Sequence, residues 1–205
     1  MNYFVTAIGT DSGKTIISTI MALALDADYW KPVQAGFPTD TSTVKSLSHG
    51  SIHCHPEQFV LNTPASPHAA AAIDDIRIDI DDFILPQSKN DLIIEGAGGI
   101  MVPLNNDKLV IDIAVKFDTP IILVSNNYLG SINHTLLSIE SLKARHLNTL
   151  GIVFNGPPNP STEQIILHKS NLPCLLKVPQ MTDVTLEELK KLSTQLKTNL
   201  SDLAR

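Results

Sequence analysis

The chain has only two cysteines, Cys54 and Cys174, far apart and without a CxxC partner. That excludes a disulfide framework and reads as reduced thiols of a cytoplasmic protein. Charge is also scarce: Asp, Glu, Lys and Arg make up 18% of the residues, below the usual ~25%. Positive charge is scarcer still, with 15 Lys and Arg against 21 Asp and Glu, a net charge of −6. Nucleic acid and anionic membranes need clustered positive charge, so neither is an expected partner. One enclosed phosphate site remains compatible, because a single lysine and a few backbone amides suffice for it. No segment approaches the ~18 uninterrupted apolar residues of a membrane span. Met1–Val5 lacks the basic region of a signal peptide. Repeats, low-complexity linkers and composition shifts are missing too. What is present is 43% hydrophobic residues in 205, enough for a packed core and too many for a disordered chain. The expectation is one domain over residues 1–205.

Short β-branched runs alternate with longer helical patterns. Strands are expected at 3–6, 29–33, 92–94, 120–124, 150–154 and, more weakly, 175–178. The runs at 92–94 and 120–124 are continuously apolar, as strands buried on both faces are. Helical spacing marks 15–25, 109–117, 131–145 and 186–203, with an alanine run after Pro67 and a weaker signal at Val44 and Leu47. In the helix at 131–145, Ile132, Leu136, Ile139 and Leu142 define the apolar side. Such alternation implies right-handed βαβ crossovers. The expected class is α/β, a three-layer, doubly wound, mostly parallel sheet of the P-loop NTPase type.

Between the first strand and first helix stands Ala7-Ile8-Gly9-Thr10-Asp11-Ser12-Gly13-Lys14-Thr15. The phosphate-loop pattern GxxxxGK[ST] requires Gly at position 8, where this chain has Ile, with Gly9 one place late. The physical parts survive. Gly13 lets backbone approach a phosphate, and amides around Asp11 and Ser12 supply donors at a helix N-terminus. Lys14 has the reach for terminal phosphate oxygens, and the Thr15 hydroxyl suits Mg²⁺.

Ligands of open parallel sheets bind at the carboxyl ends of the strands. Lys31, in Trp30-Lys31-Pro32-Val33, sits at such an end as a second cation for a transferring phosphoryl group. Glu95 follows three apolar residues and precedes Gly96-Ala97-Gly98-Gly99. A carboxylate there needs a cation, which Mg²⁺ shared with Thr15 supplies, and the small residues leave room for phosphate. Asp40 is a further oxygen ligand for the ion.

Gly13-Lys14-Thr15, Trp30-Lys31-Pro32-Val33, Ser66-Pro67-His68 and Glu95-Gly96-Ala97-Gly98-Gly99, in that order, resemble the dethiobiotin synthetase family, from the first strand to about Gln180. The resemblance implies an ATP-dependent ligase of biotin biosynthesis, with ATP as co-substrate and Mg²⁺. It closes a cyclic urea on 7,8-diaminononanoate with CO₂, through a carbamate and a carbamic-phosphoric anhydride. By the same resemblance Lys14 and Lys31 are catalytic, and Thr15, Glu95 and an aspartate hold Mg²⁺. That aspartate position falls at Asp40 or at Ser42. Asn155-Gly156 match the adenine-reading pair, and Pro179 of Val178-Pro179-Gln180 the later base loop. Ala35 takes the place of a substrate-contacting Ser or Thr, Ser66 and His68 lie near the substrate amines, and Ala7 replaces the first loop glycine. Ser131, Ile132 and Asn133 open a helix that receives the substrate carboxylate from the opposite subunit. A homodimer with a shared site is therefore implied. Apart from the resemblance, Ser131 reads as the N-cap of that helix.

His49, His53, Cys54 and His55 form a dense cluster of zinc-compatible residues. With no second ligand pair nearby in sequence, they read as a surface loop. Residues 74–82, acidic with alternating isoleucines, read as an amphipathic surface segment. Two other functions compete with the ligase. One is a nucleotide-switch ATPase of the partitioning or positioning type, which carries an extra lysine early in the phosphate loop. Here no lysine lies between Met1 and Gly13. The other is a non-catalytic sensor domain, against which the pair Lys14 and Lys31 argues.

Overall fold

A computed structural model describes residues 1–203. The elements in chain order are β1 (Asn2–Ala7), α1 (Lys14–Leu25), β2 (Asp28–Trp30), β3 (Val33–Ala35), α2 (Asp40–Leu47), β4 (Phe59–Leu61), α3 (Pro67–Ile73), β5 (Leu92–Gly99), α4 (Ile111–Lys116), β6 (Ile121–Asn126), α5 (Ser131–Ala144), β7 (Thr149–Asn155), α6 (Pro160–Ser170), β8 (Cys174–Val178) and α7 (Leu186–Leu203). Six strands form one parallel sheet in the order β2-β5-β1-β6-β7-β8. This is the expected α/β class. After β1 the chain visits one side of the sheet and returns, then builds outward on the other, so the order reverses around β1. Such reversals open a crevice at the carboxyl ends of the strands.

Alternation along the central strands decides which helices cover which face. Val5, Ala7, Tyr29, Ile93 and Ile122 pack with Ile17, Ile20 and Met21 of α1 and Leu189 and Leu196 of α7. Phe4, Trp30, Leu92, Ile94 and Ile121 face the other way, onto α3, α4 and Leu142 of α5. A smaller cluster of Leu123, Ile152 and Phe154 is covered by Ile139 and Ile166. Among the described residues no helix is long and apolar enough to cross a membrane.

Three expectations need correction. The strand expected at 29–33 is two strands: β2 ends at Trp30 and β3 starts at Val33 in a separate two-stranded parallel sheet with β4. Pro32 has no N–H for the ladder, which favours a break there. On α5, Ile139 and Leu142 are buried, but Ile132 is exposed, so the apolar side is shorter than its spacing suggested. The N-cap of α5 is Gly130 with φ 107°, and Ser131 is the first helical residue. The acidic segment at 74–82 is amphipathic as expected: Ile78 is buried with Ile76 and Ile80 packed beside it, Arg77 and Asp81 are exposed, and it forms one 3₁₀ turn, Ile80–Asp82.

Gly151 of β7 tests how tightly the far side of the sheet is built. A Cβ there would lie 2.6 Å from the Pro173 carbonyl and 2.8 Å from Leu175 Cγ. Backbone would have to move, because β7 bonds β8 at this point (Ile152 N to Pro173 O, 2.9 Å). Gly151→Ala is expected to lower folding stability by about 2 kcal/mol. Gly9→Ala, where nothing lies within 4 Å, should stay within about 0.5 kcal/mol of the parent. Urea unfolding of both variants checks this, and equal midpoints would contradict it.

Candidate active site

The loop from β1 into α1 turns on two residues with left-handed backbone, Asp11 (φ 55°) and Gly13 (φ 88°). Gly13 is required twice over. A side chain there would be strained, and its Cβ would meet Asn155 Nδ2 at 2.1 Å. Asn155, at the end of β7, donates from that nitrogen to Ser12 O at 3.0 Å. Ser12 is buried and donates its hydroxyl to Gly9 O at 3.1 Å. Lys14, 7% exposed, donates to Gly9 O at 3.1 Å. The loop thus closes on itself and is tied across the sheet to β7.

Glu95 is 1% exposed. Its Oε1 accepts from Thr15 Oγ1 and from Lys31 Nζ, both at 3.0 Å, and its Oε2 accepts from Tyr29 Oη at 3.1 Å. Lys31 Nζ also donates to Gly96 O at 3.0 Å and pairs with Asp40 Oδ2 at 2.6 Å. An ammonium has three protons, and these partners use them all. Asp40 opens α2 behind the N-cap Thr39. Its backbone N–H donates to Gln34 Oε1 at 3.0 Å, while Gln34 Nε2 donates to Gly36 O at 3.0 Å. Of the two positions open for an acidic ligand, Asp40 therefore joins the cluster. Ser42 is exposed and donates its hydroxyl to Thr39 O.

The strand β5 continues through Glu95 to Gly99 and bulges there. Val5 pairs with Glu95 but Ala7 with Gly99, so four steps on β5 oppose two on β1. Small residues make the bulge feasible: Gly98 has φ 65°, and a Cβ on Gly96 would meet the Phe4 ring at 3.0 Å.

Two lysines in one cluster carry opposite shifts. For Lys31 burial is the largest influence and acts downward, but the charges of Glu95 and Asp40 and their hydrogen bonds outweigh it, and its pKa is raised. Asp40 is lowered: burial acts upward, and the Lys31 charge and hydrogen bonds overcome it. Lys14 falls to about 8, first through burial and then through repulsion from Lys31, despite Glu95, Asp40 and Asp11. Tyr29 is pushed well above its ordinary value by burial and by the Glu95 charge, so it remains a donor.

A cleft of about 740 Å³ lies over this cluster, lined by Asp11, Gly13, Lys14, Thr15, Lys31, Asp40, Glu95, Ala97 and Gly98 together with Ala35 and Ser66. A second recess, about 310 Å³, is lined by Asn155, Gly156, Pro179, Gln180, Asn126 and Asn127, and it shares Asp11 and Ile16 with the first. The phosphate loop is thus the wall between them. Sequence reasoning missed Tyr29, Gln34, Asn126 and Asn127. Tyr29 was accessible, because it precedes Lys31 by two and shares its face. The amide oxygens of Asn126 and Asn127 are buried with no hydrogen-bond partner among the described residues. Asn127 Nδ2 is fixed by Pro157 O and Glu163 Oε1, both at 3.0 Å.

His68 does not enter the cleft. It is exposed, bonds Ser66 Oγ through Nδ1 at 3.0 Å and borders a different surface recess. Ser131, Ile132 and Asn133 lie outside it as well, at the start of α5; Ser131 is buried, and Ile132 and Asn133 are exposed. The reading of 49–55 as a surface loop also fails for His55, which is buried. The cysteines are free and half-buried, and burial pushes the Cys54 thiol up to about 11.

A family model described as an AAA domain matches residues 1–188. The ATP-dependent dethiobiotin synthetase BioD of Cytophaga hutchinsonii is 50% identical over 197 residues, 95% of this chain and 96% of that protein. That of Christiangramia forsetii is 52% identical over 168 residues, covering 80% of this chain and 81% of the relative. The chain belongs to the dethiobiotin synthetase family. The cell-division ATPase MinD of Pyrococcus furiosus superposes with a TM-score of 0.60 at 17% identity, covering 99% of this chain and all of that one. At that identity the likeness shows a shared fold alone.

The cluster gives this family member a stability test. Lys31→Met strands the buried Glu95 charge without its cation and should destabilise by about 3 kcal/mol. Adding Glu95→Gln should restore at least half of that loss, since the uncompensated charge is then gone. Denaturant midpoints of the single and double variants decide it, and simple additivity would show that the pair is not coupled.

Proposed function

We propose that this protein is an ATP-dependent dethiobiotin synthetase, closing a ureido ring on 7,8-diaminononanoate with CO₂. The carrying observation is that Lys14, Lys31, Thr15, Asp40 and Glu95, from four separate chain segments, line one cleft in a chain half-identical to a named dethiobiotin synthetase.

The reaction needs charge placed on oxygen three times. One substrate amine attacks CO₂, forming a C–N bond and losing a proton, and leaves a carbamate anion. A carbamate oxygen then displaces ADP from the γ-phosphorus, giving the mixed anhydride. The second amine attacks the carbonyl carbon and loses a proton, the carbon–oxygen bond to phosphate breaks, and the cyclic urea and phosphate leave. Little of this demands a protein nucleophile, so positioning and electrostatics carry it. Lys14 holds the β- and γ-phosphate oxygens. Lys31 faces the carbamate and the transferring phosphoryl group, keeping its charge where Glu95 and Asp40 sustain it. The loop amides of Asp11–Thr15, with Gly96, Ala97 and Gly98, line the phosphate path.

Thr15, Asp40 and Glu95 offer only hard oxygen donors, which suits Mg²⁺. Their carboxylates already neutralise one cation, Lys31, at 2.6 and 3.0 Å, so the donor set fits. Bound there, Mg²⁺ would screen phosphate charge. Asn155, Gly156 and Pro179 form the base recess, where an amide offers both donor and acceptor to an adenine edge. Ala35 and Ser66 border the substrate side of the cleft.

A homodimer completes this reading, with Ser131, Ile132 and Asn133 at the start of α5 receiving the substrate carboxylate in a second copy's cleft. Support comes from apolar side chains bared around that helix: Leu129 is fully exposed, Leu137 60% and Met101 53% exposed. Clustered apolar exposure of this kind marks contact surfaces.

Phosphate release from Mg·ATP is expected to require both diaminononanoate and bicarbonate. Lys14→Ala should cut it by about 100- to 1,000-fold with an unchanged far-ultraviolet spectrum. Substrate-independent hydrolysis stimulated by DNA or a protein partner would instead indicate a switch ATPase.

ATP binding should also be linked to Lys14 protonation. The free protein loses that proton as pH rises through about 8, and the triphosphate favours the charged form. Above that pH binding must take up a proton, so affinity falls by up to about tenfold per pH unit. Calorimetry at about pH 9 in buffers of different ionisation enthalpy reads the uptake directly. Its absence would refute the linkage.

A further inference from the structure

The edge of the main sheet at β2 carries a second cluster of coordinating groups, well separated in chemistry from the oxygen-only set of the cleft. Asp28 begins β2 and is 5% exposed. Residues 53–55 run alongside it: Tyr29 N donates to His53 O at 2.9 Å, and His55 N donates to Tyr29 O at 2.8 Å. Tyr29 and Cys54 form a parallel bridge. Alternation in extended chain then fixes the faces. Cys54 takes the side of Tyr29, while His53 and His55 fall on the opposite side with Asp28. His55 Nε2 lies 2.9 Å from Asp28 Oδ2, and the two imidazoles meet edge-on with centroids 4.7 Å apart at 89°. One nitrogen or oxygen from each of Asp28, His53 and His55 lies within 4.8 Å of the other two.

The carboxylate is held from behind. Ser88 Oγ donates to Asp28 Oδ2 at 2.7 Å, and Asn90 Nδ2 donates to Oδ1 at 3.0 Å. Hydrogen-bonded carboxylates of this sort are the outer support that metal sites use to orient their ligands. We propose that Asp28, His53 and His55 form a binding site for a divalent transition-metal ion of the zinc type. Two imidazoles and a carboxylate are a donor set that zinc takes and magnesium does not.

The ion replaces the proton between His55 and Asp28 and draws in the exposed His53, leaving one position to solvent. A hydrogen bond between His55 and Asp28 alone would account for two of the three residues. It leaves unexplained why the next residue on that face is another imidazole turned edge-on to the first. An ion here staples three stretches of chain together: the start of β2, residues 53–55 and the turn at Ser88–Asn90. β2 leads directly into Lys31, so the staple anchors the strand from which that lysine projects.

The test uses the full chain stripped with a chelator and titrated with zinc in excess magnesium, read by calorimetry and metal analysis. Stoichiometric zinc and a raised melting temperature are expected. His53→Ala, at an exposed position outside the cleft, should weaken zinc binding by about 100-fold and leave magnesium-supported turnover unchanged. Cobalt(II) in place of zinc should show the visible absorption of a four-coordinate ion in the parent and not in the variant. Failure to bind zinc, or zinc affinity indifferent to His53→Ala, would overturn the assignment.

Discussion

A carboxylate locked inside a parallel sheet is the constraint on which the rest of the cleft depends. Glu95 is 1% exposed, and a carboxylate so enclosed needs partners for its oxygens. Lys31 provides one, and the arrangement propagates outward. The lysine needs a third acceptor and finds the Gly96 carbonyl, which is available because β5 bulges over its glycines. A second anion, Asp40, is delivered to it by the N-terminus of α2, whose position Gln34 fixes through the Asp40 amide. Thr15 and Tyr29 satisfy what remains of the carboxylate. Removing the glycines, the break at Pro32 or the cap at Thr39 would each disturb the same charge balance from a different direction.

Much of this was legible in the sequence where one segment carried the whole signal. The apolar runs of β5 and β6, the phosphate loop and the Lys-Pro pair each announce themselves locally, and they gave both the sheet and the residues facing the cleft. What stayed hidden depends on partners distant in the chain. Periodicity extends β2 through Val33, and only the competition between Pro32 and the ladder splits it into two sheets. Gln34 reads as an ordinary polar residue until α2 is placed beside it. Ser131 reads as a cap because serine favours that position, yet Gly130, with its left-handed backbone, takes it. His55 reads as a loop residue because its partner, Asp28, lies on a strand 27 residues earlier.

The two lysines show how one residue type is made to behave in two ways within one cleft. Lys31 is surrounded by anions of the protein itself, so its charge belongs to the folded chain and its pKa is raised. Among the described residues Lys14 finds one hydrogen-bond acceptor, the carbonyl Gly9 O, and burial first and then Lys31, a neighbour of like sign, bring it to about 8. Its charge is therefore completed by whatever anion enters the loop. On the proposed reading the site is already charge-paired where the acceptor group is handled and open to an anion where the nucleotide docks. That division suits a ligase, in which the carbamate must meet a cation already in place. A switch has the opposite need, since its cation must register the presence of the γ-phosphate by moving. On the proposed reading Lys31 faces the transfer; its three protons are all engaged by Glu95, Asp40 and Gly96, so it is poorly placed to report a change of nucleotide.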